Sequence, residues 1–339
     1  MIKIYTDSIY LTQEFRKIIF PVLLDIHFTK STLALENFQV IEQLENADIV
    51  IVPVAINYFY KQNKQKELNQ FIDNALAKNK KVWVYAAGDF GITFRKDVTV
   101  FRLGGFKSKL SDNEEILPSF VTDVYSTLLT NKWQPLPKSL KPKIGFVGHA
   151  NNSKIKLVKE FFLHWKFAFS RILNTSIGDY QIFYASSLKR FEILEKLNNS
   201  DKISTNFILR KLYRAGVKTE EEKQITSLEF FKNIENNLYT VCIRGAGNFS
   251  VRLYETLMMG RIPVVVVSNA KLPLENFIDW NKHIVLTNSE NIVNDLISFH
   301  EKKSNEDLIE NQINNRNLML GLFQRVNYFA AIYKFKNEF

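Results

Sequence analysis

An α/β fold of two Rossmann-like domains is what the sequence predicts, and three observations predict it. Short apolar, β-branched runs at residues 239–243 and 262–267 enclose a glycine loop and room for one helix, the pattern of a crossover between parallel buried strands. The first half alternates similar runs with helical stretches. The chain has 339 residues, long for one domain, and Pro135, Pro137 and Pro142 cluster before a new strand, as an interdomain linker would.

In chain order, strands are expected at residues 2–5, 48–54 and 81–85, alternating with helices around 11–24 and 61–77. After the prolines come a strand at 144–147 and a long helix at 151–171. Phe161, Trp165 and Phe169 recur on that helix every four residues, which reads as a core-facing stripe. The glycine-loop unit follows, then a strand at 283–287 and helices at 291–302 and 307–333. Domains are expected at 1–139 and 140–322, with 323–339 a final helix crossing back to the first domain. There is no internal repeat.

The stretch "CIRGAGNFSVRLYETLMMGRIPVVVV" carries the chemistry. Gly245 and Gly247 break the strand and let the backbone approach a ligand, Asn248 or Ser250 suits the helix cap, and Gly260 suits the left-handed residue that ends the helix. A helix N-terminus attracts phosphate, and Arg244 and Arg252 add guanidinium forks that bind phosphate oxygens in pairs. Arg252 and Glu255 lie three residues apart on one helix face. A carboxylate repels phosphate but accepts hydrogen bonds from the two hydroxyls of a ribose, so the set suits a nucleoside diphosphate. The alternative is an ordinary surface ion pair between Arg252 and Glu255. No GxxxxGK[ST] or GxGxxG occurs, which disfavours a P-loop ATPase and a standard dinucleotide site.

From Tyr239 to Leu286 the chain closely resembles the donor-binding half of exostosin-type glycosyltransferases, especially bacterial ones, through RG..NFS.R..E.L..GR.PV, the LPL after the next strand and the DW at Asp279 and Trp280. Fainter similarity covers "AAGDFG", "VFRLGGFKS", "KPKIGFVGHA" and "NFILRKLYRAG". The resemblance implies a GT-B fold, with the nucleotide sugar, a UDP-sugar first of all, held by the C-terminal domain and the acceptor by the N-terminal one. It implies transfer with inversion to a glycan or glycolipid, as in surface polysaccharide synthesis. Arg244 and Arg252 would then hold the diphosphate and Glu255 the ribose.

An inverting transfer needs a base for the acceptor hydroxyl. Asp89, between a glycine and a bend after an expected strand, is the candidate base, or else a turn cap. His149, after the first strand of the second domain, could approach the donor; His27 is a weaker candidate, and His164 reads as structural. Arg210 and Arg102 are reserve anion binders. The chain lacks any Asp-x-Asp, so the expectation is an enzyme needing no metal and no cofactor, with protein cations facing the leaving group.

Hydrophobic residues make up 46% of the chain, 28 of them Phe, so it is globular. Cys242 is the single cysteine, which excludes an intrachain disulfide and a cysteine-type structural zinc site. "MIKIYTDSIY" reads as a first strand rather than a signal peptide, and no apolar run reaches the ~20 residues of a membrane span, so a cytoplasmic location is expected. A net charge of +10 admits nucleic acid, an anionic membrane leaflet or acidic substrates. Lysines are dispersed and no nucleic-acid motif occurs, so nucleic acid is disfavoured, while peripheral association with the inner face of a membrane fits a lipid-linked acceptor. A non-catalytic nucleotide-sugar or glycan-binding module is the alternative function, and a nucleic-acid-binding α/β protein the third.

Overall fold

The computed structural model describes residues 1–173, 176–267 and 269–338, without the side chains of residues 213, 214, 337 and 338. Phe339, the end of the expected terminal helix, lies outside the described residues.

The N-terminal half runs β1 (Ile2–Tyr5), α1 (Pro21–Leu23), α2 (Thr32–Asn37), β2 (Phe38–Ile41), β3 (Ile49–Ile51), α3 (Ile56–Lys61), α4 (Gln65–Leu76), β4 (Lys81–Ala86), β5 (Thr99–Arg102) and β6 (Glu114–Ile116). Its six strands are all parallel, in the order β2-β1-β3-β4-β5-β6. The second half runs β7 (Lys143–His149), α5 (Lys154–Ile172), α6 (Ser186–Asn198), β8 (Ser204–Arg210), α7 (Glu220–Glu235), β9 (Tyr239–Cys242), α8 (Val251–Met258), β10 (Ile262–Val266), β11 (Val285–Thr287), α9 (Ile292–Lys302), α10 (Asn305–Leu320) and α11 (Arg325–Glu338). Its five parallel strands lie in the order β11-β10-β9-β7-β8. Two parallel sheets wrapped by crossover helices make an α/β protein of two Rossmann-like halves.

In the second sheet β8 lies on one side of β7 and β9 to β11 on the other. The chain therefore reverses direction between β7 and β9, and the crevice beyond the carboxyl ends of such strands is where open α/β sheets bind ligands. β9 and β10 pair in register from Tyr239 with Ile262 to Cys242 with Val265. Cys242 is fully buried, and Gly260 ends the connecting helix at φ +58, where any other residue would be strained.

One apolar core joins the halves. Phe20, Trp83 and Phe101 from the first sheet's surroundings share a cluster with Leu253, Tyr254 and Leu257 of α8 and with Phe329 of α11. α11 thus packs on the N-terminal helices, and Arg325 pairs with Asp25 and Lys336 with Glu115.

Three expectations fail for identifiable reasons. A helix over 11–24 is absent: Pro21, which lacks an N–H and clashes with the preceding turn, instead occupies the first position of α1. The expected 307–333 helix is two helices, because the chain turns between Leu320 and Arg325 at Gly321. The aromatic stripe of α5 does not face a core; Phe161, Trp165 and Phe169 are exposed.

Candidate functional site

Building the site starts at the ends of β7 and β9. Arg252, in the first turn of α8, turns back over these strands: its Nη2 donates to the Val147 carbonyl at 2.6 Å and its Nη1 to that of Val241 at 3.5 Å. The guanidinium lies over the Phe146 ring, 4.1 Å from its centroid. Gly148 admits it, since a Cβ there would fall 2.9 Å from Arg252 Nη2. Arg252 Nε is buried with no hydrogen-bond partner. Burial, reinforced by nearby Arg190 and Arg210 and opposed by Cys242 and Glu255, pulls the guanidinium down to about 10.

Arg244, one residue past the Ile243 that follows β9, is buried between Tyr184 and Phe106, with centroid distances of 4.6 and 5.3 Å. Its Nη2 bonds the Ala246 carbonyl at 3.0 Å, while its Nε is buried and unpartnered. Burial lowers its pKa as well. Arg190 on α6, which the sequence reading missed, donates to the carbonyls of Arg244 at 3.1 Å and His149 at 3.5 Å. Three guanidinium groups therefore meet at the topological switch point, held largely by neutral carbonyls and ring faces. The buried Nε atoms of Arg244 and Arg252 lack hydrogen-bond partners; desolvated cationic groups left so are costly, and an arriving anion relieves that cost.

Glu255, one helical turn beyond Arg252, is half-buried, and its carboxylate makes no hydrogen bond and no ion pair among the described residues. The ordinary surface pair with Arg252 is therefore not what the fold builds. Burial pushes the Glu255 carboxyl up, opposed by the Arg252 charge.

A cleft of about 350 Å³ adjoins the cluster on the β10 side. Cys242, Leu253, Tyr254, Val265 and Leu286 give it apolar walls, Arg244 and Lys271 give it cations, and Lys107 on its wall pairs with Glu275 at 3.1 Å. Ser250 and Leu253 bring the N-terminus of α8 to this cleft, and Ser250 occupies the cap position without the expected side-chain bond. Arg244 borders both cleft and arginine cluster; Arg252 and Glu255 do not line the cleft.

The other named residues have different surroundings. Asn248 is buried, donates to the carbonyls of Gly105 at 3.2 Å and Asn269 at 3.3 Å, which ties the two halves together, and also lines the cleft. Gly247 is needed for a neighbour: a Cβ there would sit 2.3 Å from the Asp89 carbonyl. Gly245 has open space, its nearest contact being Arg190 Nη2 at 3.6 Å. His149 donates from Nδ1 to the Arg210 carbonyl at 2.9 Å, which leaves Nε2 to accept from the Ser187 hydroxyl at 3.2 Å. Arg210 bonds Glu229 and the Thr226 carbonyl, so its charge is already compensated. Buried Arg102 is a structural clasp and not an anion binder: it pairs with Glu114 at 2.6 Å and Asp179 at 2.8 Å and bonds the carbonyls of Phe90 and Gly104.

That clasp holds the loop of Asp89. Asp89 follows β4, is exposed, and makes no side-chain hydrogen bond among the described residues. Gly88 and Gly91 flank it at φ +91 and +65. The free carboxylate therefore sits on a fixed loop where the first half meets the glycine loop of the second. His27 lies elsewhere, beside Phe28 in the turn after α1. His164 packs on Tyr180 and Phe183 in α5. Other matched positions form scaffold: Arg261 bonds the Glu235, Gln134 and Gly260 carbonyls, and Trp280 Nε1 the Pro273 carbonyl. No group of three or more His, Cys, Asp or Glu placed to hold a metal occurs among the described residues.

No protein-family model and no curated protein matches the sequence. Among solved structures, the chain is similar to TarM at 13% identity and a TM-score of 0.34, over 85% of this chain and 53% of that one. A S. aureus TarM variant in complex with Fondaparinux, alpha-GlcNAc-glycerol and UDP gives 10% and 0.35, over 85% and 54%. S. aureus MnaA with UDP gives 12% and 0.27, over 94% and 97%. The chain spans about half the length of the TarM structures. At such scores the likeness adds nothing to what sheet topology shows, and the exostosin resemblance of residues 239–286 has no counterpart among these matches.

Proposed function

We propose that the protein is an inverting glycosyltransferase of the exostosin type, which takes a sugar from a nucleotide diphosphate sugar, a UDP-sugar first of all, to a glycan or glycolipid acceptor. The observation that carries this reading is the gathering of Arg190, Arg244 and Arg252 at the switch point of a parallel sheet, next to an apolar cleft at the N-terminus of α8. A base fits the cleft's apolar walls, and the diphosphate fits Arg244, whose Nε lacks a partner at the border between cleft and cluster. Glu255, with its unbonded carboxylate, is assigned to the ribose.

In the transfer, the acceptor oxygen forms a bond to the anomeric carbon as the bond to the diphosphate oxygen breaks. Asp89 takes the acceptor's proton. The guanidinium groups and the α8 amides stabilise charge growing on the leaving diphosphate, so no metal is required for that step.

Incubating the full chain with a panel of UDP-sugars and candidate acceptors, and following nucleoside diphosphate release in excess EDTA, tests the proposal. Release that persists under chelation is expected. Loss on chelation with rescue by manganese would contradict the role given to the arginines, and failure of every nucleotide sugar to turn over while still binding would favour a non-catalytic module.

A further inference from the structure

α5 is a helix of 19 residues, none of them buried. Ile155, Val158, Phe162, Trp165, Phe169 and Ile172 follow alternating spacings of three and four, which at 3.6 residues per turn places them on one face. All six are exposed, by 76, 52, 67, 47, 57 and 74% in that order. The opposite face attaches the helix: Phe167 packs on Phe90 at 4.6 Å, and His164 on Tyr180 and Phe183. A continuous apolar stripe turned toward water is not how a helix stabilises its own fold; it marks a surface awaiting a partner.

The charges on the helix identify the partner. Lys154, Lys156, Lys159, Lys166 and Arg171 face a single acid, Glu160, on this element. Lys154, Lys159 and Lys166 are exposed, and the last two border the stripe. A second copy of the chain would set these lysines against themselves, on a protein already at +10. An anionic surface would attract them, and Phe and Trp beside lysine suit the headgroup boundary of a bilayer. No helix is long and apolar enough to cross a membrane among the described residues, so the fitting geometry is a helix lying in the interface.

We propose that α5 docks the protein on an anionic lipid bilayer, with its Ile155-to-Ile172 stripe among the headgroups and its lysines against lipid phosphates. Because Phe167 touches Phe90, next to Asp89, docking holds the mouth of the candidate site at the membrane surface. Delivery of a lipid-anchored acceptor rests on the proposed function; the docking itself does not.

Sedimentation of the full chain with vesicles of phosphatidylcholine alone, and of phosphatidylcholine with phosphatidylglycerol, tests this without any sugar chemistry. Binding to the anionic vesicles is expected, weakened by salt, with tryptophan fluorescence quenched by brominated lipid, since of the four tryptophans Trp83 and Trp280 are buried, Trp133 is half-buried with its Nε1 on the Met259 carbonyl, and Trp165 is exposed. Phe162→Glu with Phe169→Glu should reduce partitioning by about tenfold or more. Lys159→Gln with Lys166→Gln should reduce it by about fivefold per lysine. Both variants alter exposed side chains, and an unchanged melting temperature shows that the fold is kept. The proposal is overturned by absence of vesicle binding, by equal binding to neutral and anionic vesicles, or by binding that survives both variants. A concentration-dependent dimer that the Phe162 and Phe169 changes dissociate would also overturn it, by making the occupant a second copy.

Discussion

Arg244→Ala separates ligand binding from fold stability. In the free protein Arg244 uses Nη2 on the Ala246 carbonyl, keeps Nε unpartnered, and lies between the Tyr184 and Phe106 rings. A diphosphate would take up Nε and a second N–H as a charge-assisted pair, each bond contributing ~1.5–3 kcal/mol. Truncation forfeits both bonds, so a loss of about 3–6 kcal/mol is expected, or roughly 150- to 25,000-fold in affinity. The same change removes cation–π contacts of ~0.5–2 kcal/mol, which the relieved desolvation of ~1–3 kcal/mol approximately offsets, so the melting temperature should move little. Titration calorimetry with UDP on wild type and variant, beside a thermal melt of each without ligand, reads both quantities. A folded Arg244→Ala protein that binds UDP within about twofold of wild type would refute the reasoning.

Three further outcomes follow from the geometry. Asp89→Asn preserves shape but cannot take a proton, so turnover should fall by ~100-fold or more with UDP affinity nearly unchanged; kinetics within a few fold of wild type would reduce Asp89 to a turn residue. Glu255 is held above its ordinary pKa mainly by burial, so its ionised form costs native stability, a cost that grows as pH climbs past the unfolded value of about 4.3 and is complete above the folded one. Glu255→Gln should therefore raise the melting temperature of the ligand-free protein at pH 7 but not at pH 4, while weakening nucleotide binding; an unchanged or lower melting temperature at pH 7 would contradict this. Buried His300 accepts from Tyr239 and donates to the Ser139 carbonyl, and burial lowers its pKa. Below about pH 6.5 the unfolded chain takes up a proton that the folded chain refuses, so stability should fall with pH there, and His300→Asn should flatten that slope in melts between pH 5 and 7.5.

Sequence made the α/β layout legible where local signals agreed. The runs flanking the glycine loop are apolar on both faces, as buried parallel strands must be, and Gly260 stands where a helix ends in left-handed geometry. β5 and β6 escaped because they are short and carry Arg102, Glu114 and Glu115; the charges of Arg102 and Glu114 are tolerated only because they pair inside the fold. The stripe of α5 was visible as a period, but a period does not say which side of a helix meets the core. At the site, Arg244, Arg252 and Glu255 share one local motif and could be picked out together. Arg190 could not, because it lies on α6 with no motif of its own, and only the packing of α6 against β8 and α9 brings it near Arg244. Gly247 looks like a ligand-facing loop residue in sequence, yet the Asp89 carbonyl of the neighbouring half occupies that space.

The central claim is that a nucleoside diphosphate binds where Arg244 joins the apolar cleft to the arginine cluster. Thermal melts of the wild-type chain in excess EDTA, with UDP, UDP-sugars, uridine and sugar phosphates in parallel, test it most directly. Ligand at ~100 times its dissociation constant stabilises the native state by about 2.7 kcal/mol, so UDP and at least one UDP-sugar should raise the melting temperature by a few degrees while uridine does not. No shift with any nucleoside diphosphate or nucleotide sugar at millimolar concentration would contradict the account.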